Sequence, residues 1–225
     1  MSIWTSKVRR AAAGLGLALA LTGCQMTGTT GPEKQSRFSG PPPSKMAVAG
    51  GQLIVSGPPG YCIDRETSRD DAGRSALVML SPCRGMGAGI FAPRAAHEAV
   101  MTAAVGARPM VTEPERILPA MQAFAATRQG RAALSRSGEA QDMQIRHMFA
   151  EGDVVYMRLT DRGRFAWGTV QPEYWRAVVP AGGRMVSLSV LALPQAPLSD
   201  RDGMALLRAF VATVKAGSAL PASRG

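Results

Sequence analysis

The second half of the chain carries four short apolar runs with no helical pattern between them: residues 143–149, 154–159, 174–179 and 185–191. Runs of that length bounded by turn residues read as strands. Their separators are Glu151-Gly152-Asp153, a longer loop, and Gly182-Gly183. Antiparallel neighbours are joined by a few residues, whereas parallel neighbours need a crossover of a dozen or more, so the four runs predict a meander. Upstream, residues 52–56 form an apolar run ended by Gly57-Pro58-Pro59-Gly60, and residues 76–80 form another ended by Ser81-Pro82. Both predict strands, and residues 99–105, which follow a loop rich in Gly and Pro, predict a third.

Two segments have helical spacing instead. Thr112-Glu113-Pro114-Glu115 has the pattern of a helix start, with Thr112 as cap, Glu115 three residues on and Pro114 where a missing amide donor costs little. Ile117, Leu118, Met121, Phe124 and Ala125 continue it, with a break placed at Gly130 and the end before Gly138. Near the C-terminus, Ser199 with Asp202 makes a second cap, and Leu207, Phe210, Val211 and Val214 share one face before Gly217. The order of strands, helix, consecutive strands and helix predicts an α+β domain: an antiparallel sheet, laid out as a meander, with two main helices packed on one face. That order resembles the Mog1/PsbP-like fold over most of residues 52–214, a resemblance that implies fold alone.

The N-terminal stretch reads as an address. Lys7, Arg9 and Arg10 precede an apolar run over residues 11–21, too short to span a bilayer comfortably, which ends in Leu21-Thr22-Gly23-Cys24. Those four residues resemble a lipobox, the signal of bacterial lipoproteins. The resemblance implies a diacylglyceryl thioether on Cys24 and cleavage before it, so that residues 1–23 are signal peptide and Cys24 becomes the acylated N-terminus. It also implies a cell-envelope location facing the periplasm, and Gln25 after the cysteine favours the outer membrane over the inner one. The chain as a whole resembles uncharacterised envelope lipoproteins of alphaproteobacteria. Residues 24–50, dominated by Gly, Pro, Ser and Thr with the run Pro41-Pro42-Pro43, predict a tether. Residues 51–225 then form one domain, long enough to bury about two-thirds of its unfolded surface.

Composition limits the partners. The chain is 46% hydrophobic and 19% charged, which is globular rather than disordered. Its formal charge is +10; the leader holds three basic residues and no acid, which leaves the mature protein at +7. A basic protein on an envelope membrane is drawn to anionic lipid, lipopolysaccharide or peptidoglycan, and an envelope protein is the other expected partner. Nucleic acid is not expected in that compartment.

With Cys24 acylated, Cys62 and Cys83 remain as an even pair in an oxidising compartment, which predicts a disulfide. Between them Asp64, Glu66, Asp70 and Asp71 alternate with Arg65, Arg69 and Arg74. The acids fall at the wrong offsets for a calcium loop, so ion pairs on a solvated loop are expected. His97-Glu98 begins like the zinc-protease helix motif, but Met101 stands where the second His belongs. His147 is read as a core-edge residue on the face of Met143, Ile145 and Phe149. There is no Gly-x-Ser-x-Gly elbow, Walker loop or Ser-x-x-Lys motif, and Gly85-Met86-Gly87-Ala88-Gly89 lacks the dinucleotide spacing. No metal and no cofactor is expected.

One constellation suggests binding. Period-two alternation groups Arg146, Tyr156, Arg158, Tyr174 and Arg176, with Ser187 and Ser189, as candidates for one open sheet face that would hold a phosphate, carboxylate or sugar acid in guanidinium forks. The expected function is therefore a membrane-anchored, non-enzymatic binding or structural module of the envelope. The alternative is an envelope hydrolase or assembly enzyme with His97 or His147 as base, which requires either imidazole beside a Ser, Asp or Glu in a closed pocket.

Overall fold

In the computed structural model the described residues are 40–109, 114–166 and 168–218. The expectations at Cys24, Gln25 and Thr112 lie outside them. The elements run β1 (Lys45–Val48), β2 (Leu53–Ser56), β3 (Tyr61–Ile63), β4 (Arg69–Asp71), β5 (Ser75–Pro82), β6 (Ala99–Pro109), α1 (Pro114–Ala126), α2 (Arg128–Leu134), β7 (Met143–Glu151), β8 (Val154–Asp161), β9 (Glu173–Ala181), β10 (Arg184–Ala192) and α3 (Asp200–Ser218). This is an α+β fold with an antiparallel sheet ordered β3-β5-β6-β10-β9-β8-β7, in which β4 pairs with β5. The expected meander is the run β7 to β10. β6, paired antiparallel with β10, joins it to the N-terminal strands.

The helices do not share one face, and this corrects the sequence expectation. Val154 and Tyr156 of β8, Ala177 and Val179 of β9, and Leu188 and Val190 of β10 pack with Leu207, Phe210 and Val214 of α3. Their neighbours Val155, Met157, Leu159, Val178 and Leu191 pack with Ile117 of α1 and Leu134 of α2. Side chains alternate across a strand, so these two sets lie on opposite faces. β8 is buried along both faces, as a strand with helices on each side must be. The result is three layers, with α3 on one side and the α1–α2 pair on the other.

The fold also begins earlier than expected. Lys45–Val48, assigned to the tether, pairs with β2 from Lys45 opposite Ser56 to Val48 opposite Leu53. The turn between them runs through Ala49, Gly50 and Gly51, all at positive φ. The hairpin packs on α3, where the Thr213 hydroxyl donates to the Ser56 carbonyl at 2.8 Å. Gly217, expected just past the helix, lies inside its last turn, because any Cβ there would overlap the Ile54 carbonyl. At the other end of α3, the Ser199 hydroxyl accepts from the Asp202 amide at 3.1 Å and donates to its carboxylate at 2.7 Å, the capping arrangement the sequence predicts.

Cys62 of β3 and Cys83, just past β5, form the expected disulfide, with Cα atoms 4.8 Å apart. On the chain-entropy view a loop of that length stabilises by ~3 kcal/mol. The first helical segment breaks at Thr127, three residues before the expected Gly130. Thr127 is extended and its hydroxyl accepts from the Gly130 amide at 2.8 Å, so it caps α2. Gly130 has a different role: a Cβ on it would overlap the Phe124 carbonyl, and its absence lets α2 start directly against the end of α1. Gly130→Ala should therefore destabilise by ~1–3 kcal/mol in chemical denaturation, despite the better helix propensity of alanine. Gly85→Ala, with open space at that site, should stay within ~0.5 kcal/mol.

Candidate functional site

β7 carries an irregularity that rearranges the expected constellation. Its register to β8 is Ile145 opposite Leu159 and then His147 opposite Arg158, so Arg146 is the extra residue of a bulge. A bulge shifts side-chain alternation by one. His147 and Phe149 therefore leave the face of Met143 and Ile145 and stand on the α3 side, where their rings lie 5.3 Å apart. His147 is exposed there rather than set at the core edge. Arg146 Nε donates to the buried Thr160 hydroxyl at 3.0 Å.

The five candidate residues do not gather on one open face. β8 and β9 pair with Arg158 opposite Trp175 and Met157 opposite Arg176. Residues opposite one another in register share a face, so Tyr156 and Arg158 point to the α3 side while Tyr174 and Arg176 point to the α1–α2 side. Both tyrosines are buried.

On the α1–α2 side the polar groups form a closed network. Arg176 donates from Nε to the Ser189 hydroxyl at 3.0 Å, from Nη1 to the Leu134 carbonyl at 2.8 Å, and from Nη2 to the Tyr174 hydroxyl at 2.9 Å. Asp161, fully buried, accepts from the Arg136 amide at 2.8 Å, from Arg136 Nε at 3.1 Å and from the Gly163 amide at 2.8 Å. The guanidiniums of Arg136 and Arg176 lie 5.5 and 5.4 Å from the centre of the Tyr174 ring. The network ties the C-terminal end of α2 to β8, β9 and β10, and the Arg176 fork that sequence reading assigned to a ligand is occupied by the protein itself.

The α3 side retains a cleft. Arg158, Gln171, Glu173, Trp175, Ser199 and Asp200 line a hollow of about 330 Å³ at the start of α3. Arg158 is only 17% exposed and bridges Glu173 at 3.0 Å and Asp200 at 2.7 Å. Its guanidinium lies 5.7 Å from the centre of the Trp175 ring. The Trp175 indole nitrogen is buried without a hydrogen-bond partner, and a Cβ on Gly203 would approach its ring at 3.2 Å. Two carboxylates flank one guanidinium, so the hollow does not attract a second anion. The carboxylate acceptors of Glu173 and Asp200 suit a neutral, hydroxyl-bearing group. Of the residues lining this hollow, sequence reading singled out Arg158 and Tyr174 for a ligand; Gln171, Glu173 and Asp200 lie in loops or at element ends and carry no periodic signal.

Comparison with protein-family models, with curated proteins and with solved structures returns no match. His97 is half-buried, and its carbonyl accepts from the Tyr61 hydroxyl at 2.6 Å. Among the described residues, no hydrogen bond joins either imidazole to a Ser, Asp or Glu. No group of three His, Cys, Asp or Glu residues is placed to hold a metal ion among them either.

Among the described residues, the three tyrosines are the groups with shifted titration. Burial, aided by Glu98, pushes Tyr61 from 10 up to about 12, against the lowering effect of its bond to the His97 carbonyl. Burial raises Tyr156, with a further contribution from Glu151, and raises Tyr174, where Arg176 opposes it. A raised phenol favours the neutral form in the folded state. Its stabilisation is complete below the unfolded value and is lost as pH climbs through the folded one. Phenolate absorbance should therefore stay flat through pH ~10 and appear in one step with unfolding; a tyrosine that ionises near pH ~10 while circular dichroism remains native would contradict these environments.

The buried carboxylate gives a second test. Asp161→Asn should cost ~3–5 kcal/mol by denaturant titration, because Arg136 is left buried without its counter-charge. The exposed pair of Asp71 with Arg74, 3.0 Å apart, gives the comparison: Asp71→Asn should cost under ~1 kcal/mol.

Proposed function

We propose that this protein is a lipid-anchored module of the bacterial cell envelope, non-enzymatic, which holds a folded α+β domain at a membrane surface on the periplasmic side. The observation that carries the reading is the sequence Leu21-Thr22-Gly23-Cys24 directly after a basic and then an apolar stretch. The disulfide between Cys62 and Cys83 supports it, because such bonds persist in oxidising compartments and are rare in the cytosol. No helix among the described residues is long and apolar enough to cross a membrane. In this reading attachment rests on Cys24: several acyl chains contribute ~0.8 kcal/mol for each buried CH2, which makes anchoring effectively permanent.

The binding role is favoured over the hydrolase by what the polar residues do. Arg136, Arg158 and Arg176 are paired within the protein, and Arg184 donates to the carbonyls of Gly73, Arg74, Gly106 and Ala107. His147 lies open on the surface, away from any closed pocket of the kind a general base would need. The hollow beside Trp175 is where the domain would hold a small neutral polar group of an envelope component. Outer-membrane residence belongs to the same proposal and rests on Gln25.

Metabolic labelling with a fatty acid tests the anchor. The native chain should incorporate label and sediment with membranes, and Cys24→Ala should incorporate none. Equal label in the variant, or none in the native chain, would remove the reading.

A further inference from the structure

The segment that links Cys83 to β6 displays two large apolar side chains in water. Ile90 is 77% exposed and Phe91 is 96% exposed, and the two are adjacent. The segment is not a slack loop. The Ala88 amide donates to the Cys83 carbonyl at 3.1 Å, the Ala92 amide donates to the Gly89 carbonyl at 3.3 Å, and Arg84 Nε donates to the Ala92 carbonyl at 2.9 Å. Gly87 and Gly89 supply the positive φ angles these turns require. Both ends are fastened as well. Cys83 is tied by the disulfide and by its amide to the Gly60 carbonyl at 2.8 Å. The far end is held by the Tyr61 hydroxyl on the His97 carbonyl, and by the backbone of Arg94 and Ala95 lying so close to Gly60 that no Cβ fits between them. The disulfide and the buried Tyr61 thus brace a segment whose tip presents Ile90 and Phe91 outward.

The charges within the segment have one sign. Arg84 and Arg94 flank the tip and are both exposed, and no Asp or Glu occurs between Cys83 and His97. Asp64 and Glu66 lie across a neighbouring hollow, and Glu98 follows His97 at the end of the segment. Asp64 accepts from the Glu66 and Thr67 amides at 2.9 and 3.3 Å.

The chain joins the fold beside this same segment. Gly40 and Pro42 line one hollow together with Met86, and the Pro43 carbonyl accepts from the Ile63 amide at 2.7 Å. Residues 25–39 separate Cys24 from that point, a length that spans at most ~55 Å. On the anchored reading, from which this step follows, the acyl chains hold Gly40, at the hollow beside the tip, within that reach of the bilayer.

We infer that the Ile90–Phe91 tip, with Arg84 and Arg94 at its base, is a second membrane contact that seats on an anionic phospholipid surface. The aromatic and branched side chains enter the boundary between headgroups and acyl chains, and the two guanidiniums meet lipid phosphates. Because the anchor already confines the domain near the surface, a contact too weak to hold a free protein suffices to orient this one. Seating the tip fixes which faces of the domain look away from the membrane.

Co-sedimentation with vesicles of phosphatidylcholine, with and without phosphatidylglycerol, tests this on the mature chain from residue 24 carrying Cys24→Ala, so that no acyl chain contributes. This chain should partition onto the phosphatidylglycerol vesicles more strongly than onto the neutral ones. Adding Ile90→Ser and Phe91→Ser should lower that partition by ~10-fold, while circular dichroism stays native because both side chains are solvent-exposed. Equal partition with and without the two substitutions, or no binding to either vesicle, overturns the inference. So does the loss of a crosslink to an envelope protein on the same substitutions with vesicle binding unchanged, which assigns the tip to a protein partner. None of these outcomes bears on acylation of Cys24, which fatty-acid labelling reads separately.

Discussion

The central strands of the sheet are apolar on both faces, and the remainder of the domain is arranged around covering them. Val154 and Tyr156 look one way, and Val155, Met157 and Leu159 look the other. A strand of this kind left bare on either side would expose a continuous apolar stripe, each square ångström of which costs ~25 cal/mol. α3, nineteen residues long, covers one side with the β1–β2 hairpin packed against it. The shorter α1 and α2 cover the other side, and there the burial is completed by polar ties. The carboxylate of Asp161 and the guanidinium of Arg176 hold the end of α2 against the sheet through named hydrogen bonds.

This constraint explains which parts of the fold were legible in the sequence. The four runs of the meander, α3 and its Ser199 cap, and the disulfide appear where residue patterns place them, because each is specified by local periodicity or by cysteine count. The side on which each helix packs was also written in the sequence. Val154 to Leu159 is apolar at nearly every position rather than at alternate ones, which is the mark of a strand buried twice. Reading that run as one-sided put both helices on one face and left an open face for the arginines. The bulge at Arg146 is different. A single extra residue in β7 reverses the side of His147 and Phe149, and period-two counting along one strand contains no sign of it.

The same contrast separates the two kinds of candidate site. Arginines and tyrosines at alternating positions suggested a ligand, yet register sends Tyr156 and Arg158 to one side of the sheet and Tyr174 and Arg176 to the other. Their donors are taken up by Ser189, Leu134, Glu173 and Asp200. Arg136, Arg158, Arg176 and Arg184 are thus committed to carbonyls and carboxylates of the protein itself. What the domain offers outward is the hollow beside Trp175 and the braced tip at Ile90 and Phe91. Neither follows a repeat, since one is assembled from loop and element ends and the other is apolar sequence within a Gly-rich segment. The proposed leader, in contrast, is read from sequence alone, and on the proposed function it would connect the tip to a role by placing it near a bilayer.

The central claim is that Cys24 is an acylated N-terminus in an oxidising compartment. Intact-mass analysis of the protein taken from native membranes, alkylated with and without prior reduction, tests it directly. The account predicts a mass that begins at Cys24 and carries acyl chains, with two further thiols, those of Cys62 and Cys83, open to alkylation only after reduction. An unacylated mass with the leader removed elsewhere, or with both thiols alkylated without reduction, would contradict it.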